Sequence, residues 1–156
     1  MPHDNWETPP DLVRRLQHEF SFDLDAAASP ENAICPTYIT QEDDALVRPW
    51  HGRSVWCNPP YSMLGTFTGR ALSESQRLQN QIVLLIPAYT DTKWWRDHVL
   101  PANEIRFLTG RLRFWEGGSP GKDTARFPSA LIIYKTLCGT STHNPHIRWW
   151  DWRVTP

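Results

Sequence analysis

Hydrophobic residues follow two different periods along the chain, and the two kinds of segment alternate. Over residues 11–20, apolar side chains recur every three or four positions, which predicts an amphipathic helix. Thr8, just before Pro9 and Pro10, is the expected N-cap of this helix. Apolar runs typical of buried strands occupy residues 55–57, 81–87, 104–108 and 128–134. This alternation predicts a mostly parallel α/β sheet flanked by helices.

Weaker patterns complete the predicted order of elements. Residues 20–25 alternate apolar with polar side chains, which predicts a short strand. Residues 67–79 and 91–98 predict two further helices, the second with Asp91 as its N-cap. Residues 111–115 alternate basic with apolar positions, and with the strand at 128–134 they predict an antiparallel hairpin at the end of the sheet.

Composition narrows the class of protein. A chain of 156 residues is long enough for one domain with a real core. Its 16 basic and 17 acidic side chains nearly cancel, so binding to nucleic acid would require a local basic face. Cys35, Cys57 and Cys138 indicate neither a disulfide framework nor a zinc site, and they favour a reducing cytoplasm. No apolar run approaches about 18 residues, and the first residues lack the form of a signal peptide, so we expect no membrane segment.

The most informative stretch follows the strand at residues 55–57. Asn58, Pro59, Pro60 and Tyr61 form a stiff loop at the carboxyl end of that strand, where open α/β sheets place their ligands. The side-chain oxygen of Asn58 and the carbonyl of Pro59 can both accept from one planar amino group, while Tyr61 stacks on the ring that carries it. The plain alternative is a turn that only ends the strand, because Asn-Pro is a common turn signal.

Three acidic residues stand out along the chain, and one of them is a candidate for binding a nucleoside. Asp25 ends the short strand and is followed by Ala26, as in a nucleoside-binding loop, although no G-x-G-x-x-G motif is present. Asp43 and Asp44 belong to a local acidic cluster. For all three acids a solvated carboxylate beside a turn remains the alternative.

The end of the chain differs in composition from the rest. Residues 148–153 pack tryptophans between Arg148 and Arg153. One interpretation is a surface that stacks on bases and binds phosphates; the other is a clasp that covers an apolar face. His143 and His146 lack companion ligands, so the sequence predicts no metal site.

Seven motifs in one order resemble the phage-type DNA N6-adenine methyltransferase (Dam) family. They are WETP at 6–9, FDLDAA at 22–27, EDDAL at 42–46, VWCNPPY at 55–61, LLIPA at 84–88, RFLTGRLRF at 106–114 and FPSA at 127–130. The likeness covers roughly residues 4–135. It implies a class I methyltransferase fold and S-adenosylmethionine as the cofactor.

The resemblance also implies roles for individual residues. Trp6, Thr8 and Pro9 match the motif beside the methionine end of the cofactor. Asp25, followed by Ala26, matches the acidic end of the first strand, which is expected to approach the methionine amino group or the loop beneath it. Asp44 matches the acid that accepts from the amino group of the cofactor's adenine, with Asp43 as a near competitor. Asn58, Pro59, Pro60 and Tyr61 match the catalytic loop, and Phe114 is the candidate for the second face of the target base. The glycine-rich cofactor loop of many methyltransferases is absent, and the small run at 26–28 is expected to replace it.

A substrate of double-stranded DNA would need local cations in this nearly neutral chain. The best cluster flanks a Gly-rich loop and consists of Arg111, Arg113, Lys122 and Arg126, with Arg148 and Arg153 as additions. Two other functions stay open: methylation of a glutamine amide in a protein, whose planar NH₂ needs similar acceptors, and a catalytically inert DNA-binding module.

The predicted organisation is a methyltransferase domain over residues 1–137 and a Trp/Arg-rich tail over residues 138–156. The resemblance further points to a phage or prophage protein in the bacterial cytoplasm. Neither the DNA recognition sequence nor the oligomeric state follows from the sequence.

Overall fold

A six-stranded sheet with one helix on each face forms the framework of the protein. The computed structural model describes residues 4–135 and 144–154. The helices are α1 (Pro10–Phe20) and α2 (Leu64–Leu78), with a 3₁₀ turn at Tyr61–Met63 and a π-helical turn at Trp95–Val99. The strands are β1 (Leu24–Asp25), β2 (Ser54–Cys57), β3 (Gln81–Pro87), β4 (Glu104–Leu108), β5 (Trp115–Glu116), β6 (Ser119–Pro120), β7 (Ser129–Lys135) and β8 (His146–Trp150).

The strand order in the sheet is β1-β2-β3-β7-β4-β8. The first three strands are mutually parallel, β7 is antiparallel to both β3 and β4, and β8 is parallel to β4. Five strands therefore run in one direction, which confirms the mostly parallel α/β sheet. Their carboxyl ends share one edge, where open α/β sheets bind ligands.

The antiparallel hairpin is placed differently from the prediction. Residues 111–114 belong to no strand. β5 pairs with β6 in a separate two-stranded hairpin and forms an isolated bridge to Glu7. The antiparallel partners of β7 are β3 and β4 in the main sheet. The apolar run identified β7 as a strand, but such a run does not say which strands lie beside it in the sheet.

Buried side chains alternate between the two faces of the sheet. On one face α1 packs Leu12, Leu16 and Phe20 into a cluster with Val83 and Leu85 of β3. On the other face α2 joins a cluster that contains Ile82, Leu84 and Ile86 of the same strand. Because both faces of β3 are buried, its side chains form a continuous apolar run in the sequence.

The starts of two predicted helices differ from the sequence expectation. No side chain caps α1, and Thr8 is not its N-cap; the carbonyl of Pro9 accepts from Val13 N instead. The predicted helix at 91–98 is replaced by a shorter one that ends in the π-helical turn. Thr92 Oγ1, not Asp91, accepts from the Trp95 N–H at 3.2 Å.

The Trp/Arg-rich segment lies along the edge of the sheet. Arg148 of β8 forms an ion pair with Glu104 at 3.0 Å, and the Arg106 guanidinium lies 5.2 Å from the ring of Trp150. Beyond the strand, Arg153 pairs with Asp151. Cys138, His143 and the predicted domain boundary at 137–138 lie outside the described residues. Among the helices that the structure describes, none is long and apolar enough to cross a membrane.

Candidate active site at the carboxyl edge of the sheet

The amide of Asn58, directly after β2, is fixed in one orientation. Its Nδ2 donates to the carbonyl of Trp6 at 3.1 Å and to Thr8 Oγ1 at 3.4 Å. A backbone carbonyl only accepts, so the nitrogen must face Trp6 and Oδ1 must point away. Oδ1 is buried, and it has no hydrogen-bond partner among the described residues. An orphaned buried acceptor costs about 1–3 kcal/mol, and such an atom marks a place where a ligand can donate.

Two adjoining cavities meet at Asn58. The larger has a volume of about 740 Å³ and lies between the loops around residues 26–32 and 39–46. The smaller, of about 350 Å³, lies beside the start of α1. Five residues are part of the lining of both cavities: Asp4, Ala27, Glu31, Asn32 and Asn58. The orphaned amide therefore stands at the junction of one continuous, two-lobed site.

The predicted cofactor residues divide between these two cavities. Trp6, Thr8 and Asp25 line the smaller cavity, and Ala26 and Asp44 line the larger. Two further predicted residues, Pro9 and Asp43, line neither cavity. The sequence reading missed Asp4, Glu31 and Asn32, which reach the site from irregular loops without a recognisable motif.

Asp25 is buried beneath the loop that separates the cavities. Its Oδ1 accepts from Ala27 N at 3.2 Å and its Oδ2 from Ile34 N at 3.1 Å, so both oxygens hold the loop in place. Burial raises the pKa of this carboxyl from 3.8 to about 6, and the two N–H groups oppose the rise only in part. Asp25 therefore shapes the site mainly by positioning backbone.

This elevated pKa predicts a pH-dependent stability. The folded state holds the Asp25 proton more tightly than the unfolded chain, so the stabilisation is complete below pH 3.8 and is lost as the pH rises to about 6. We expect the free energy of unfolding of the wild type, relative to Asp25→Asn, to fall by about 2–3 kcal/mol between pH 4 and pH 7. Urea denaturation of both proteins at the two pH values measures it. A difference that does not change with pH would contradict the assignment.

Asp43 and Asp44, which the sequence left as competitors, have different surroundings. The Asp43 carboxylate accepts from both the N–H and the hydroxyl of Thr40 and pairs with Arg48 at 3.0 Å. Asp44 adopts a left-handed backbone conformation with φ of 56°, and its Oδ1 accepts from Leu46 N. Its Oδ2 has no hydrogen-bond partner among the described residues. Of Asp43 and Asp44, Asp44 is therefore the one that is available to a ligand in the larger cavity.

Four aromatic rings, including that of Tyr61 itself, pack together at the Asn58–Tyr61 loop. Tyr61 stands edge-on to Phe127 at 5.5 Å and to Phe114 at 6.0 Å, and Trp6 stacks on Phe114 at 4.9 Å. Phe114 is only 3% exposed, so Trp6 covers the face that was predicted to meet a target base. Burial raises the pKa of the Tyr61 hydroxyl above its usual range, which keeps this group neutral.

Residues 4–8 form a strap across the Asn58–Tyr61 loop. Asp4 accepts from Ser62 N at 3.0 Å and from Ser62 Oγ at 2.7 Å. Glu7 exchanges two backbone hydrogen bonds with Trp115, at 2.8 and 2.9 Å. The Trp6 carbonyl, between these attachments, and the Thr8 hydroxyl, directly after the second of them, orient Asn58. These pairings join residues far apart in sequence, which is why pattern alone did not reveal them.

The predicted basic residues form an exposed and uncompensated group beside the aromatic rings. In the described part of the chain none of them has an ion-pair or hydrogen-bond partner: Arg111, Arg113, Lys122 and Arg126. Arg113 and Arg126 directly precede Phe114 and Phe127. By contrast, Arg148 and Arg153 are already paired with carboxylates. Over the same described residues, no three His, Cys, Asp or Glu side chains form a group that could hold a metal ion.

The fold and the site define an α/β protein with a two-lobed cavity at the carboxyl edge of a mostly parallel sheet. A sequence model described as DNA N-6-adenine-methyltransferase (Dam) matches residues 1–145. The chain is 32% identical over 136 residues to a DNA N-6-adenine-methyltransferase of Haemophilus phage HP1, covering 85% of this chain and 79% of that protein. The chain belongs to the DNA N-6-adenine-methyltransferase (Dam) family, which confirms the resemblance.

A second relative is longer than this chain. It is a DNA N-6-adenine-methyltransferase of Escherichia phage T1, 37% identical over 111 residues. The match covers 70% of this chain and spans about half of the T1 protein, 46% of its length.

Proposed function

We propose that this chain transfers a methyl group from S-adenosylmethionine to N6 of an adenine in double-stranded DNA. The observation that carries the proposal is the orientation of Asn58. Its amide nitrogen is held by Trp6 and Thr8, which leaves Oδ1 as a buried acceptor at the junction of two cavities. The family to which the chain belongs, described as DNA N-6-adenine-methyltransferase, supports the same reaction. Asn58 Oδ1 supports it too, because an amide oxygen is an acceptor suited to an amino group.

The two-lobed site fits the cofactor in size and in chemistry. The larger cavity is within the range of about 300–1,000 Å³ usual for ligands of this size. Asp44 would accept from the adenine amino group there, and the small Ala26 side chain leaves room for the nucleoside. Thr8 and Asp25 would border the methionine end in the smaller cavity. This division, together with the reversed strand β7 in the sheet, supports the class I methyltransferase fold.

The catalytic loop would act on the amino group of the target base. Asn58 Oδ1 and the carbonyl of Pro59 would each accept one hydrogen bond from the N6 amino group, which draws the nitrogen towards tetrahedral geometry and localises its lone pair. Pro60, with φ of −61° and ψ of 127°, keeps the loop extended. When bound, S-adenosylmethionine would supply the methyl group: the bond from its sulfonium sulfur to the methyl carbon breaks as the N6 lone pair bonds that carbon, S-adenosylhomocysteine is released, and N6 loses one proton to solvent. Positioning and electrostatics carry such a reaction without a nucleophilic side chain.

Tyr61 would stack on the target adenine after the base leaves the duplex, a step that costs a few kcal/mol. Its contacts with Phe127 and Phe114 hold the ring beside the loop. A stacking role for Phe114 stays a prediction, and it requires Trp6 to leave the face that it now covers.

Asp44 gives a test of the cofactor site with a neighbour as its control. Asp44→Asn replaces one carboxylate oxygen by a donor and removes the charge, so we expect a roughly tenfold or greater loss of affinity for S-adenosylmethionine. Asp43→Asn should leave the affinity unchanged, because that carboxylate faces Thr40 and Arg48. Calorimetric titration of both variants measures it. Equal losses in the two variants would contradict the assignment of Asp44.

The reaction itself is tested by a methyl-acceptor assay with labelled S-adenosylmethionine. Unmethylated duplex DNA and a mixture of bacterial proteins are offered separately, and label is expected only in DNA. Label in protein alone would replace the proposal by glutamine-amide methylation. Cofactor binding without transfer to either acceptor would instead support a catalytically inert DNA-binding module.

A further inference from the structure

Tyr89 is an exposed aromatic residue at the carboxyl edge of the sheet, and the proposed reaction does not use it. It lies two residues beyond the end of β3, the strand next to β2, and 41% of it is exposed. Its backbone is fixed: Tyr89 N donates to the Pro87 carbonyl at 2.9 Å, and its own carbonyl accepts from Thr92 Oγ1 at 2.8 Å. A rigid turn thus holds a ring out at the carboxyl edge.

A row of rings connects Tyr89 with the catalytic loop. The Tyr89 ring stands edge-on to Phe127 at 6.0 Å, and Phe127 stands edge-on to Tyr61 at 5.5 Å. In the described part of the chain Trp149 is the other strongly exposed aromatic residue, and it lies on β8, at the far edge of the sheet. Exposed Met63 is a wall of the larger cavity. Tyr89 is therefore the exposed ring that stands between the proposed base site and solvent.

The charges around this row suit a DNA backbone. Arg126 precedes Phe127, Arg113 precedes Phe114, and Lys93 follows Tyr89 by four residues; all three cations are exposed. Among the described residues, Arg113 and Arg126 have no ion-pair or hydrogen-bond partner. Lys93 interacts with the carboxylate of Asp97, whose pKa is lowered first by its hydrogen bond with Arg96 and also by the charge of Lys93. Aromatic rings between uncompensated cations are typical of surfaces where phosphates are bound and bases are stacked.

We propose that Tyr89 enters the duplex and stacks in the gap that the target adenine leaves. The inference rests on the proposed function, because only a base taken out of the stack leaves a gap. An apolar or aromatic side chain in the stack lowers the cost of the open state. Tyr89 would then act on the flipping equilibrium, while Tyr61 holds the flipped base.

The experiment begins with the wild type, whose product DNA is sequenced for N6-methyladenine to read the recognition sequence. Two duplexes of that sequence are compared, one with the target adenine paired to thymine and one with it opposite cytosine. For the matched duplex, Tyr89→Ala is expected to lower kcat/KM on the order of tenfold to a hundredfold, and Tyr89→Phe to keep it. The mismatch weakens pairing and should restore most of the loss. Leu100→Ala, equally apolar, 38% exposed and at the opposite edge of the sheet, is the matched control.

A second readout follows the base directly. With 2-aminopurine at the target position, fluorescence should rise when the wild type or Tyr89→Phe binds and should rise much less with Tyr89→Ala. An unchanged Tyr89→Ala variant overturns the inference. An equal loss on matched and mismatched duplexes also overturns it, because Tyr89 would then be only a wall of the base pocket. Absence of DNA methylation by the wild type would instead contradict the proposed function.

Discussion

Replacing Asn58 by alanine is expected to lower kcat for DNA methylation by roughly a hundredfold to a thousandfold, the effect usual for losing one preorganised polar group. The variant loses Oδ1 as the acceptor for N6, and it also releases the carbonyl of Trp6 and the hydroxyl of Thr8. Asn58→Asp should be similarly inactive, because a second oxygen would then face the Trp6 carbonyl. Single-turnover kinetics with saturating cofactor measure the chemical step.

Asn80 offers a matched control for this experiment. Its Nδ2 also donates to a tryptophan carbonyl, that of Trp50 at 3.0 Å, and its Oδ1 is likewise buried without a described partner. Asn80 lines neither cavity. Asn80→Ala should therefore lower the stability but leave kcat unchanged. If Asn58→Ala stays within about threefold of the wild type, or if both variants lose kcat equally, the acceptor role of Asn58 is wrong.

Removing the uncompensated basic group is expected to give the largest loss of DNA affinity. A variant with glutamine at Arg111, Arg113, Lys122 and Arg126 should bind duplex DNA on the order of a hundredfold more weakly near physiological salt. Each lost phosphate contact removes about 0.9 from the slope of log K against log salt concentration, so the slope should shrink by up to about 3.6. Affinity for S-adenosylmethionine should not change, because none of the four lines the cavities.

The control for this variant removes cations from the opposite edge of the sheet. Arg53 precedes β2 and Lys135 ends β7, so both lie at the amino edge of the parallel strands. Arg53→Gln with Lys135→Gln tests what net charge alone contributes. Fluorescence anisotropy of a labelled duplex over a series of salt concentrations gives both affinity and slope. A slope that falls equally per charge in the two variants would remove the basic group from the interface.

The sequence predicted those features that depend on neighbouring residues. The helical spacing of Leu12, Leu16 and Phe20 placed α1 correctly, and the apolar run of β3 reported a strand covered on both faces. Asn58 could be placed at the carboxyl end of a strand because two prolines follow it. In each case the signal is a local period or a local break in it.

Features that depend on distant partners could not be predicted. Thr8 has the form of an N-cap, yet its hydroxyl accepts from Asn58, fifty residues away. Phe114 lies beneath Trp6 because the strap at residues 4–8 pairs with Trp115, a contact without a sequence signature. The place of β7 between β3 and β4 is likewise a matter of pairing rather than pattern. The sequence offered both Asp43 and Asp44 as the acid that binds the cofactor, and only their hydrogen bonds in the structure distinguish them.

The most direct measurement is the identity of the modified nucleoside. Unmethylated duplex DNA is incubated with the protein and S-adenosylmethionine, digested to nucleosides and analysed by mass spectrometry, with Asn58→Ala in parallel. We expect N6-methyldeoxyadenosine from the wild type and almost none from the variant. Methylcytosine as the product, or N6-methyldeoxyadenosine at equal levels from both proteins, would contradict it.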